Sequence, residues 1–225
     1  MRIWDVEPEL LITRFKVCCI GGPEEASLAI AYGASALGLV SEMPSGPGVI
    51  PDTLIREIAA SVSPSVSTFL LTSRTDPLEI LDQHRRCVTT AIQLVDRVGA
   101  RAYRELREVL PGVRLVQVVH VTGPESLEEA VDSARHADAL LLDSGRPDLA
   151  VKELGGTGRV HDWEVSRAIR DAVEVPIFLA GGLGPDNVAE AVRAVQPFAV
   201  DVCSGLRTDG RLDEAKLRAF VAALA

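Results

Sequence analysis

Short apolar runs alternate with longer amphipathic stretches from Phe15 to the end of the chain, and no other feature restricts the fold so tightly. The apolar runs are Phe15–Ile20, Ala36–Val40, Val66–Leu71, Ala91–Val95, Val113–Val121, Ala139–Asp143, Pro176–Ala180 and Ala199–Val202. Runs of this length, bounded by Gly, Pro, Asn and Asp, read as strands buried on both faces. The segments between them, at 24–32, 51–61, 77–87, 100–110, 126–135, 163–172, 186–195 and 213–224, read as helices. In the last of these, apolar residues fall at 217, 220, 221 and 224, one face of a helix. Strands that alternate with helices lie parallel in one sheet. Eight units of about 28 residues predict a single (β/α)8 barrel, an α/β fold with a closed eight-stranded parallel sheet. An open doubly wound sheet is disfavoured, because Gly21-Gly22-Pro23 after the first run is not a dinucleotide-binding fingerprint. Residues 1–14 read as an N-terminal extension and 15–225 as the barrel domain.

Composition narrows the partners. With 23 Lys and Arg against 32 Asp and Glu, the net charge of −9 speaks against a general nucleic-acid binder. No window approaches the roughly 18 uninterrupted apolar residues of a membrane helix. The first 14 residues carry Asp5, Glu7 and Glu9 and lack an apolar core of signal-peptide length, so a cytoplasmic protein is expected. The four cysteines, Cys18, Cys19, Cys87 and Cys203, have no zinc-site spacing. Free thiols in a reducing compartment, and no metal, are the expectation.

A barrel builds its active site at the C-terminal ends of its strands, which turns the strand reading into a list of candidates. The first strand ends on Cys18 and Cys19. Side chains alternate along a strand, so Lys16 and Cys18 share one face, and Val17 and Cys19 the other. A thiol there can serve as a base, although a small buried residue is the plainer reading of either cysteine. The sixth run ends in Leu140-Leu141-Leu142-Asp143, which sets a carboxylate on the rim. The seventh leads into Gly181-Gly182 and the eighth into Ser204-Gly205. Glycines on those two loops let backbone N–H groups approach an anion, the usual phosphate site of such barrels. The stretch 144–162, with Gly155-Gly156-Thr157-Gly158, is long for a strand-to-helix loop and reads as a lid or as a plain solvated loop. His120, inside the fifth run, is as readily structural as functional.

Taken in order and with their spacing, several of these segments resemble the phosphoribosylanthranilate isomerase family over roughly residues 15–225. They are Lys16-Val17-Cys18, Leu140–Asp143, Gly155–Gly158 with Asp162-Trp163, Leu179–Leu183 with Pro185 and Asn187-Val188, and Asp201-Val202-Cys203-Ser204-Gly205. The resemblance implies an Amadori (aldose–ketose) isomerisation in tryptophan biosynthesis, by acid–base catalysis and without cofactor. Cys18 would be the general base and Asp143 the general acid. Gly181, Gly182, Ser204 and Gly205 would hold the substrate phosphate, with Gly156, Asp201, His120 and Gln93 as further substrate contacts. The partner is then a phosphorylated small molecule, and the protein a monomer or homodimer.

The chain departs from the family pattern at the other end of the site. Gly48 stands where the family has an arginine for the anthranilate carboxylate. Gln93-Leu94-Val95-Asp96 replaces Gln-Leu-His-Gly, His120 replaces an arginine-like residue, and Cys19 replaces a glycine. Two alternatives therefore stay open: a paralogue acting on another phosphorylated sugar or sugar adduct, and a non-catalytic sugar-phosphate-binding barrel.

Overall fold

The computed structural model describes residues 13–44, 46–144 and 162–225. Eight parallel strands close on themselves in chain order: β1 (Arg14–Val17), β2 (Ala36–Val40), β3 (Ser67–Thr72), β4 (Ala91–Leu94), β5 (Arg114–His120), β6 (Ala139–Asp143), β7 (Ile177–Leu179) and β8 (Ala199–Val202). The helices that return the chain are α1 (Pro23–Ala31), α2 (Asp52–Ser61), α3 (Pro77–Cys87), α4 (Ala100–Val109), α5 (Ser126–Ala134), α6 (Trp163–Ala172), α7 (Val188–Val195) and α8 (Glu214–Leu224). The expected closed barrel is thus the observed one. β1 closes the ring against β8, with Lys16 opposite Asp201 and Val17 opposite Val202.

Local sequence sets several boundaries. Asp76 accepts hydrogen bonds from the Leu78 and Glu79 amides ahead of α3, whose first residue is Pro77. Asp213 does the same for Ala215 and Lys216 at α8. Gly33, with φ 91°, turns the chain out of α1.

Most boundaries shift by a residue or two from the sequence reading, and two differences bear on the site. β1 begins at Arg14 and stops at Val17, not Ile20. Cys19 takes a left-handed conformation (φ 61°), which ends the strand alternation after Cys18. A small hairpin, β9 (Arg207–Thr208) with β10 (Arg211–Leu212), follows a 3-10 turn over Ser204–Leu206. Asp209 (φ 50°) and Gly210 (φ 77°) make its turn, and the Asp-Gly pair is the sequence signal for it. The lid read at 144–162 and the extension at 1–14 fall almost wholly outside the described residues.

Alternation sorts the strand residues into two layers. Outward residues such as Val17, Leu37, Leu39, Leu70, Ile92, Leu140 and Leu142 pack under the helices. Inward residues, among them Phe69, Ala91, Val116, Leu141 and Phe178, fill the barrel, with Phe69 and Phe178 meeting edge to face at 5.6 Å. Lys16 also points inward. It is fully buried, its Nζ donating to Asp201 Oδ1 at 2.9 Å and lying 5.4 Å from the Phe69 ring centre.

Candidate active site

The inward residues at the strand ends form the floor of a cleft of about 650 Å³, counted out to open solvent. Cys18, Gln93, Asp143 and Asp201 line it, with Gly181, Gly182 and Ser204 on one side. Val40, Met43, Gly46, Pro47, Leu71 and Val95 also line it, and no Lys or Arg is among the described lining residues. Of the sequence candidates, Gly205 lies on a neighbouring groove that shares Gly182 and Ser204 with the cleft. His120 is not brought to the cleft; its Nε2 donates to the Val95 carbonyl at 3.2 Å. Gly156 lies outside the described residues.

Asp143 is buried, and burial lifts its carboxyl to about 6. The Ser144 amide, donating to Oδ1 at 2.8 Å, and Lys16 pull it down, whereas the Asp201 charge pushes it up. A carboxyl half-protonated near neutral pH is suited to proton donation. For Lys16, burial alone would favour the neutral amine. Asp201, then Cys18, outweigh burial and hold the amine above its ordinary value. The barrel therefore holds a fixed cation–carboxylate pair beneath an acid and a thiol.

Three positions that matter to this geometry carry no local sequence signal. Gly38 on β2 is one: a methyl group there would sit 2.7 Å from Cys18 Sγ and 3.0 Å from Lys16 Nζ, so only glycine leaves room for both side chains. Arg207 is another. It ion-pairs with Glu25 at 3.2 Å and donates from Nη2 to the Cys18 and Cys19 carbonyls, tying the end of β1 to the hairpin after β8. Lys16 is the third, since its partner Asp201 lies 185 residues away.

The glycine loops are fixed from behind. Asn187 accepts from the Gly184 amide at 2.9 Å and donates to the Gly182 carbonyl at 3.0 Å. Gly181 and Gly182 have φ of 87° and 62°, and Asn187 holds the turn they make. A methyl group on Gly205 would lie 2.1 Å from the Leu183 carbonyl oxygen. Gly205→Ala must therefore separate the β7 and β8 loops, and a loss of about 1–3 kcal/mol in stability is expected. Urea unfolding, read beside the affinity for ribose 5-phosphate, checks this; both should fall together.

These features define a class: a (β/α)8-barrel enzyme with a thiol, a near-neutral carboxyl and two glycine-bearing loops on its catalytic rim. Comparison with known proteins agrees. The family model described as N-(5'-phosphoribosyl)anthranilate (PRA) isomerase matches residues 72–223. The N-(5'-phosphoribosyl)anthranilate isomerase of Methanocella arvoryzae is 36% identical over 93% of this chain and 97% of its own. That of Haloferax volcanii is 39% identical over 94% of this chain and 93% of its own. Among solved structures, the phosphoribosyl anthranilate isomerase of Thermus thermophilus superposes with a TM-score of 0.79 at 29% identity, over 94% of this chain and 98% of that one. A phosphoribosyl anthranilate isomerase in complex with reduced 1-(o-carboxyphenylamino)-1-deoxyribulose 5-phosphate gives 0.78 at 27%, with the same coverage. The chain belongs to the phosphoribosylanthranilate isomerase family.

Proposed function

We propose that this chain isomerises an N-linked 5-phosphoribosyl amine to the 1-amino-1-deoxyribulose 5-phosphate, with phosphoribosylanthranilate as the substrate. One observation carries the reading: Cys18 and Asp143 face the same cleft, and Asp143 is poised by burial to be an acid near neutral pH. Asp143 protonates the ribose ring oxygen, the C1′–O bond breaks, and the nitrogen lone pair forms a Schiff base. The Cys18 thiolate then removes the C2′ proton, and the resulting enolamine tautomerises to the ketose. The backbone of Gly181, Gly182, Ser204 and Gly205 holds the phosphate. The apolar side of the cleft, with Val40, Leu71 and Val95, receives the aromatic ring. The test is steady-state turnover of freshly formed phosphoribosylanthranilate, followed by loss of its fluorescence. Wild-type turnover that vanishes in Cys18→Ala supports the reading; turnover that survives in Cys18→Ala sinks it.

A second reading concerns the aromatic group. Gly48 has φ 77°, and a methyl group there would lie 2.5 Å from Cys19 Cβ. Position 48 thus has no room for a side chain, and Cys19 fills the space. An ion pair with a substrate carboxylate contributes on the order of 1.5–3 kcal/mol, roughly ten- to a hundredfold. With no Lys or Arg among the described lining residues to meet it, the anthranilate adduct and the aniline adduct, which lacks the carboxylate, should differ by less than about threefold in kcat/KM. A preference above tenfold for the anthranilate adduct would show that another cation meets the carboxylate.

A further inference from the structure

Two thiols that the proposed reaction does not use meet at the edge of the cleft. Cys19 and Cys203 follow the ends of β1 and β8, which are neighbours in the barrel wall. The Cys18 amide continues that pairing, donating to the Val202 carbonyl at 2.8 Å, so residues 19 and 203 emerge side by side. Their sulfurs are 2.8 Å apart, and both line the cleft. The two thiols are inequivalent. Hydrogen bonding to Cys18 and Cys203, together with burial, keeps Cys19 protonated. The Cys203 thiol is drawn below its ordinary value by its hydrogen bond with Cys19 and by the Arg207 guanidinium, against the effect of burial. Arg207 Nε is buried with no hydrogen-bond partner among the described residues. Cys87 is a built-in contrast: on α3, beside Asp52, it is buried and pushed up to about 12.

We infer that Cys19 and Cys203 form a redox modification site, closed to a disulfide by peroxide. The Cys203 thiolate attacks one peroxide oxygen; an S–O bond forms, the O–O bond breaks, and hydroxide leaves with a proton from solvent as water. Cys203 is then a sulfenic acid. The Cys19 sulfur attacks it, forming S–S and breaking S–O, and the Cys19 proton joins the departing hydroxide as a second water. In sum, two thiols are oxidised by two electrons and one hydrogen peroxide is reduced to two waters. The sulfurs need to approach by only about 0.8 Å to reach bonding distance. Thiolate character and access to the cleft select Cys203 as the attacking sulfur, and Cys19 resolves the sulfenic acid. The bridge joins the residue after Cys18 to the residue before Ser204, so it fixes the base and one phosphate-binding loop together. Its effect on turnover rests on the proposed function; formation of the bridge does not.

The test oxidises the full-length reduced protein with a small excess of hydrogen peroxide, alkylates the remaining thiols and maps the peptides. The expected product is a Cys19–Cys203 cross-link, lighter by two hydrogen atoms, with Cys18 and Cys87 alkylated and full reversal by dithiothreitol. Fragmentation between Cys18 and Cys19 assigns the bonded sulfur. A Cys18–Cys203 bridge, or four alkylated thiols after peroxide, would overturn the inference. In Cys19→Ser, Cys203 should pass to the sulfinic acid at the same dose; a reduced Cys203 there would also overturn it. Turnover should be lost in the cross-linked enzyme and return on reduction. An enzyme that turns over unchanged when cross-linked would refute the inactivation. One that maps as expected but is inactive even when reduced would instead refute the isomerase reading.

Discussion

Asp143→Asn is expected to lower kcat by a factor of about 10²–10⁴ and, at the same time, to stabilise the protein. The first effect follows from removing the proton that opens the ribose ring. The second follows from linkage. The Asp143 carboxyl is raised from 3.8 to about 6 in the folded chain. Between those values the folded state binds more protons than the unfolded state, so stability falls as pH rises through this window. Above about pH 6 the buried carboxylate lowers stability by up to about 3 kcal/mol, which a neutral amide of the same shape relieves. Asn can still accept the Ser144 amide hydrogen bond. The gain should appear in urea unfolding at pH 7.5 and be absent at pH 3.5. The pH–rate profile separates the acid from a merely structural carboxyl. Above about pH 6 the neutral fraction of Asp143 falls about tenfold per unit, and a step that needs its proton should slow in parallel. The small residual rate of Asp143→Asn has no such group to titrate and should not show that fall. A variant profile that falls over the same pH range as the wild type would remove Asp143 from the acid role.

The barrel was legible because its strands are buried on both faces. Continuous apolar runs such as Ala36–Val40 and Leu140–Leu142, alternating with helices, fit the strands of a parallel sheet covered on both faces. Asp143 was legible for a related reason: a carboxylate closing such a run can only sit on the rim. The thiol end was harder to read. Alternation placed Lys16 and Cys18 on one face, as observed, yet it also carried the strand to Ile20 and set Cys19 on the opposite face. The left-handed turn at Cys19 brings that side chain to the cleft instead. A non-glycine residue at positive φ is held there by its surroundings, here Gly48, Cys203 and the Arg207 guanidinium on its carbonyl. None of these is near in sequence. The same holds for Arg207 and Glu25, which are 182 residues apart and meet only once the ring has closed. His120 shows the converse limit. The family resemblance implied a substrate contact there, whereas its place inside a strand was as readily structural, and its ring meets the Val95 carbonyl.

Lys16→Met should be the most destabilising of the single substitutions considered, by about 3–5 kcal/mol at neutral pH. Lys16 is fully buried and Asp201 nearly so, and the two charges meet at 2.9 Å. Removing the cation strands a nearly buried carboxylate at the base of the cleft, where water replaces the lost partner only in part. Replacing both members should restore most of the loss, because two apolar side chains in that interior have no charge left to solvate. Lys16→Met/Asp201→Leu is therefore expected to lie within about 1–2 kcal/mol of the wild type, which gives the pair a large coupling in a double-mutant cycle. A single Lys16→Met variant within about 1 kcal/mol of wild type would show that the pair does not hold the barrel centre. Stability and function should part company in the double variant. Lys16 pulls the Asp143 carboxyl down and Asp201 pushes it up, so their joint removal leaves burial and the Ser144 amide to set its value. Asp201 also lines the cleft, so the rescued fold should remain catalytically impaired. A buried ion pair of this kind contributes little to net stability against an apolar replacement. Its consequence lies in where it places fixed charge: within reach of the acid and the thiol, in a barrel that would otherwise be filled by Phe69, Phe178 and their neighbours.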